Sequence, residues 1–73
     1  MTTKYKIKFY EIETNEDLDC CIEDLVDCGA TDCWSKLDTD SETGTVRFNT
    51  ANYQNFYNKF RLTDSYDLME SIV

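Results

Sequence analysis

Residues 65–73 read SYDLMESIV, and the fold turns on how they are read. Tyr66, Leu68 and Ile72 alternate as strand residues do, with every second side chain on one face. Tyr66, Met69 and the Ile72-Val73 pair also fit a helix. A strand closes the element order β-α-β-β-α-β; a helix leaves it open.

The segments upstream are easier to read. Tyr53, Phe56, Tyr57 and Phe60 fall at i, i+3, i+4 and i+7, a helix capped by Thr50 or Asn49. Such an aromatic stripe is read as core. Before it, residues 31–39 (TDCWSKLDT) and 45–49 (TVRFN) form two strands of a hairpin, with Val46 and Phe48 inward and a turn over residues 40–44 (DSETG). At the start, residues 4–13 (KYKIKFYEIE) put Tyr5, Ile7 and Phe9 on one face and Lys4, Lys6 and Lys8 on the other, a half-buried strand. The alternation slips at Phe9-Tyr10, where a bulge or strand end fits. Thr14 then supplies an N-cap, and Asp17 completes a capping box. Leu18, Cys21, Ile22, Leu25 and Val26 follow at helical spacing, and Gly29 is suited to end the helix.

Two helices over one face of a four-stranded antiparallel sheet would bury every apolar stripe named above, an α+β arrangement. As an order of elements this resembles the ferredoxin-like superfold. The resemblance implies an arrangement and no activity, because that superfold hosts many unrelated functions. At 73 residues the chain is expected to form a single domain, residues 1–73, with a modest core. It has no proline, two glycines and 41% hydrophobic residues, a composition outside the disordered class. No run suits a signal peptide, and none approaches the roughly 20 apolar residues of a membrane span, so a cytoplasmic location is expected.

The four cysteines support neither a disulfide framework nor a metal site. Cys20 and Cys21 are neighbours and point about 100° apart on a helix. Cys21 and Cys28 share a face but lie about 10 Å apart along the axis, too far for a bridge. A Cys28–Cys33 bridge is compatible with the spacing but unneeded. With no C-x-x-C pair and no histidine, the usual zinc patterns cannot be built. Cys21, Cys28 and Cys33 read as small apolar fillers. Cys20 lies among Glu16, Glu23 and Asp24, anions that disfavour a thiolate nucleophile.

Charge is the most informative feature. Fifteen acids against seven bases give a net charge of −8. Residues 9–35 hold nine acids and no base, while the rest of the chain has six acids and seven bases. The excess therefore sits on the first helix and its flanks. Glu16, Asp19, Glu23 and Asp27 form a stripe opposite Leu18, Ile22 and Leu25, with Asp24 beside it. Like charges at this spacing cost roughly 0.2–0.5 kcal/mol per pair. Asp27 also occupies the last turn, where the helix dipole favours cations. A solvated acidic face that aids solubility is one account. Docking on a basic surface of another macromolecule is the other, and axial spacings of about 4.5 to 6 Å could imitate a row of nucleic-acid phosphates. Asp32, Asp38, Asp40 and Glu42 would extend that surface along the hairpin. Trp34 is read as a core residue or, in the docking account, as an anchor.

Other chemistry is weaker. Asp38, Asp40 and Glu42 resemble the start of a calcium loop, but Thr43 and Asn49 replace its glycine and its last glutamate. Lys4, Lys6, Lys8 and Arg47 would share the open sheet face. RNA-binding domains of this architecture place stacking aromatics there, whereas only Tyr10 is expected here, and the net charge opposes phosphate. No histidine, nucleophile elbow or phosphate-cradling glycine loop points to an enzyme.

The short, acidic, proline-free composition, rich in Asn, Tyr and Phe, resembles that of accessory proteins of virulent phages. With the charge map it leads to the expectation of an inhibitor that occupies the nucleic-acid-binding surface of a basic host defence or transcription protein. No cofactor, metal, membrane or direct nucleic-acid contact is expected. The alternative is a self-associating module, a homodimer paired through edge strands or the Tyr-rich helix.

Overall fold

The computed structural model describes residues 4–73, with the backbone alone at position 4. Strand β1 (Lys4–Phe9) is followed by helix α1 (Asn15–Asp27), strands β2 (Ala30–Asp38) and β3 (Thr43–Thr50), helix α2 (Tyr53–Phe60), a 3-10 turn over Asp64–Leu68 and strand β4 (Met69–Ile72). The strands lie in the order β2-β3-β1-β4, every neighbour antiparallel. This is the α+β, ferredoxin-like arrangement, with both helices against one face.

The last element is a strand, which closes the β-α-β-β-α-β order, but only from Met69 onward; Tyr66 and Leu68, which alternate with Ile72 in the sequence, lie in the 3-10 turn before it. The chain makes a helical turn through Leu68 and then extends. Tyr10 donates its N–H to the Leu68 carbonyl at 2.9 Å, and Lys6 and Val73 exchange two hydrogen bonds of 3.0 and 2.8 Å. β4 thereby closes the sheet beside β1.

Helix α1 starts as its cap residues dictate. The Thr14 hydroxyl accepts the Asp17 N–H at 3.2 Å, and the Asp17 carboxylate accepts the Thr14 N–H at 3.3 Å. Gly29, at φ 111°, ends it in the left-handed region. The hairpin boundaries and the cap of α2 differ from the sequence reading. β3 runs through Asn49 and Thr50, which pair with Lys4 and Ala30, so the cap of α2 is Asn52, whose side chain accepts the Asn55 N–H at 3.1 Å. Gly44 lies inside β3, where Leu18 of α1 approaches so closely that a Cβ would stand 2.6 Å from its Cδ1.

The core is Ile7, Phe9, Ile12, Ala30, Val46 and Phe48 from the sheet side, Leu18, Cys21, Leu25 and Cys28 from α1 and its cap, and Phe56 and Phe60 from α2. Phe56 bridges Phe48 and Phe60 at ring-centroid distances of 4.8 and 5.6 Å. No described helix is long and apolar enough to cross a membrane.

Candidate partner-docking surface

Burial of Leu18, Cys21 and Leu25 fixes the rotation of α1. Glu16, Asp19, Glu23 and Asp27 accordingly project outward, all exposed, along about 16 Å of helix axis. No Lys or Arg pairs with them among the described residues. The ion pair found there joins Lys8 to Glu70 at 3.7 Å, within the sheet.

Asp17 and Asp24 face a different task. Asp17 is held by the capping box, and half-buried Asp24 accepts the Ser65 hydroxyl, tying the helix to the 3-10 turn. Together they help to line a shallow groove of about 410 Å³ between α1 and that turn, along with Glu11, Glu23 and Asp64. Glu11 and Asp64 were not among the sequence candidates. Glu11 lies in the β1–α1 connection and Asp64 opens the 3-10 turn, 53 residues away in sequence, and the closure of the sheet by β4 brings the two together. An open groove with five carboxylates suits the head of a Lys or Arg side chain.

The hairpin acids lie at the two ends of β2. Asp38, Asp40 and Glu42 are exposed at the β2–β3 turn. That turn packs beside the entry to α1, because the Ile12 N–H donates to the Glu42 carbonyl at 2.7 Å. The Asp38 carboxylate accepts the N–H groups of Asp40 and Ser41 at 3.1 and 3.3 Å. The Ser41 side chain, and then these N–H groups, hold its carboxyl below the ordinary value. Asp32 stands at the far end, near the last turn of α1, and accepts from the Asn49 amide at 3.4 Å.

For Trp34 the core reading fails. It is 55% exposed and lies on the open sheet face, outside the core and away from α1. The cause is a bulge: Thr31 pairs with Asn49 and Trp34 with Arg47, so β2 has one more residue than β3 between those pairs. Asp32 absorbs the extra residue at φ 53°. Ala30 faces the core, and strict alternation would carry Trp34 inward with it; the added residue turns it out.

There the indole meets cations. The Arg47 guanidinium carbon lies 5.7 Å from the ring centroid. Trp34, Arg47 and Lys6 form one row across the sheet, and Lys36, Thr45 and Lys8 form the next. The molecule thus has a carboxylate-rich helical side and a cationic open sheet face carrying an exposed indole.

All four thiols are free. Burial pushes Cys21, Cys28 and Cys33 up, with nearby aspartates adding to the effect, so they are held protonated. Among the described residues no group of three or more His, Cys, Asp or Glu side chains is placed to hold a metal ion. No protein-family model matches the chain, and no curated protein or solved structure matches it.

Proposed function

We propose that the protein is a small acidic inhibitor, of the kind virulent phages make, that docks α1 on a basic, nucleic-acid-binding surface of a host defence or transcription protein in the host cytoplasm. The observation that carries this reading is the row Glu16, Asp19, Glu23 and Asp27, without an ion-pair partner among the described residues and exposed on one helix beside a groove lined by further carboxylates. The row takes the place of successive phosphates, while the groove receives one cationic side chain of the partner. Asp38, Asp40 and Glu42 extend the contact past the N-terminal end of α1. Steering by such a field gives fast, salt-sensitive association.

The repulsion within the row supports a role outside the fold. Glu16–Asp19, Asp19–Glu23, Glu23–Asp27 and Asp24–Asp27 stand at i,i+3 or i,i+4, together costing on the order of 1 kcal/mol. A basic partner removes that cost on docking.

The test uses immobilised wild-type protein and an Asp19→Lys/Glu23→Lys/Asp27→Lys variant in host lysate. The wild type should retain a basic protein that duplex DNA displaces and the variant does not hold. Equal retention by both, or indifference to DNA, rules the mechanism out.

A further inference from the structure

We propose that the open sheet face is a docking site for α1 of a second copy of this chain, so that the protein associates head to tail through ridge and face. The inference uses the same carboxylate row as the proposed inhibitory contact, with a different occupant.

The two surfaces match in charge and in scale. On the face, Lys6, Lys36 and Arg47 are exposed, and Lys8 is partly committed to Glu70. Neighbouring strands lie about 4.8 Å apart, and successive same-face residues about 6.7 Å apart. The carboxylates of α1 recur at about 4.5 and 6 Å along the axis. A helix laid on the face can therefore set its acids against these cations while its flank covers Trp34.

Net charge does not forbid the contact. At physiological salt the screening length is about 8 Å, well under the smallest molecular extent of 18 Å. Only the charges near the contact count, and there the row of acids meets Lys6, Lys36 and Arg47, while Glu70 is already paired with Lys8 and Asp32 accepts from the Asn49 amide. A long polyphosphate fits less well. β2 and β3 lead from the cationic rows straight into the turn bearing Asp38, Asp40 and Glu42, so a strand running along them meets anions. Trp34 also supplies a single exposed indole in place of a succession of stacking platforms.

Ridge and face lie on opposite sides of the molecule, so the contact is heterologous and leaves a free surface of each kind at the ends of every chain of copies. A copy whose ridge is occupied in this way cannot use it on a basic partner. Self-association thus holds the inhibitor in reserve at high concentration and releases it on dilution.

The test combines sedimentation velocity with emission from Trp34, the chain's one tryptophan. The wild type should associate as concentration rises at about 0.1 M salt, with a blue shift of emission, and lose both at about 1 M, where the screening length is about 3 Å. Lys6→Gln/Arg47→Gln removes the face, and Glu23→Gln/Asp27→Asn removes the ridge; all four positions are exposed. Each variant alone should associate about tenfold or more weakly. Mixed, they retain one native ridge and one native face and should form a discrete one-to-one dimer. A wild type that stays monomeric, association that persists at 1 M, or a mixture without the dimer overturns the inference. So does quenching of Trp34 by oligothymidylate in a wild type that shows no self-association. Because Lys6→Gln/Arg47→Gln leaves the ridge intact, capture of a basic host protein by that variant separates this inference from the inhibitory reading.

Discussion

Gly44 shows how a single residue can mislead. Following Asp-Ser-Glu-Thr, glycine signals a turn, yet here it is a strand residue paired with Phe9 and Leu37, and it is glycine because Leu18 of α1 occupies the space of a side chain. Only the packing of α1 on β3 creates that demand, so the residue order does not reveal it. Gly44→Ala should destabilise the protein by about 1–3 kcal/mol through overpacking. Leu18→Ala should cost about 1 kcal/mol less in that background than alone, because the two side chains compete for one volume. Urea denaturation of the four proteins of the cycle measures both, and strict additivity would show that the backbone shifts instead. The cysteines carry a second residue-scale prediction. Burial raises Cys21, Cys28 and Cys33. Their contribution to stability is therefore complete below the unfolded thiol value, about 8.5, and is lost as pH rises through the higher folded values. Denaturation at pH 7 and pH 10 should show the loss, and Cys21→Val should reduce it. Iodoacetamide should reach exposed Cys20 first.

Among the elements, α1 was legible down to its cap, because Thr14, Asp17, Gly29 and the apolar spacing all specify the same boundaries. The last segment was ambiguous for a physical reason: a 3-10 turn runs directly into a four-residue strand, so neither period continues through it. β2 was the opposite case, a strand whose existence was plain and whose faces were not. One residue at positive φ reverses the alternation, and Asp32 is not a residue type that announces a bulge. The place of Trp34 on the open face beside Arg47 was hidden with it. The acids of α1 were found by spacing alone, whereas Glu11 and Asp64 needed the closed sheet. α1 also permits a test that separates folding from docking. Asp27→Lys removes repulsion from Glu23 and Asp24 and places a cation in the last helical turn. It should stabilise the protein by about 1 kcal/mol while weakening association with any basic partner. A variant that gains stability and binds a basic partner equally well assigns Asp27 to solubility alone.

At the scale of the whole molecule, the charge distribution sets opposite salt responses for folding and for association. Fifteen acids and seven bases repel within a body of 34 × 25 × 18 Å. The ion pair found among the described residues, Lys8–Glu70, is exposed on both sides and contributes little. Folding therefore has more repulsion than attraction to lose when salt is added. Raising sodium chloride from about 0.01 M to about 1 M shortens the screening length from about 30 Å to about 3 Å. The melting temperature should rise over that range, by about 4–8 °C for each 1 kcal/mol of repulsion removed. Association through the ridge depends on attraction between surfaces and should fall by about tenfold or more over the same interval. Thermal melts followed by circular dichroism and sedimentation in matched buffers measure the two responses side by side. A melting temperature that falls with salt would place favourable ion pairs inside the fold and leave the ridge with fewer free carboxylates than the docking reading requires.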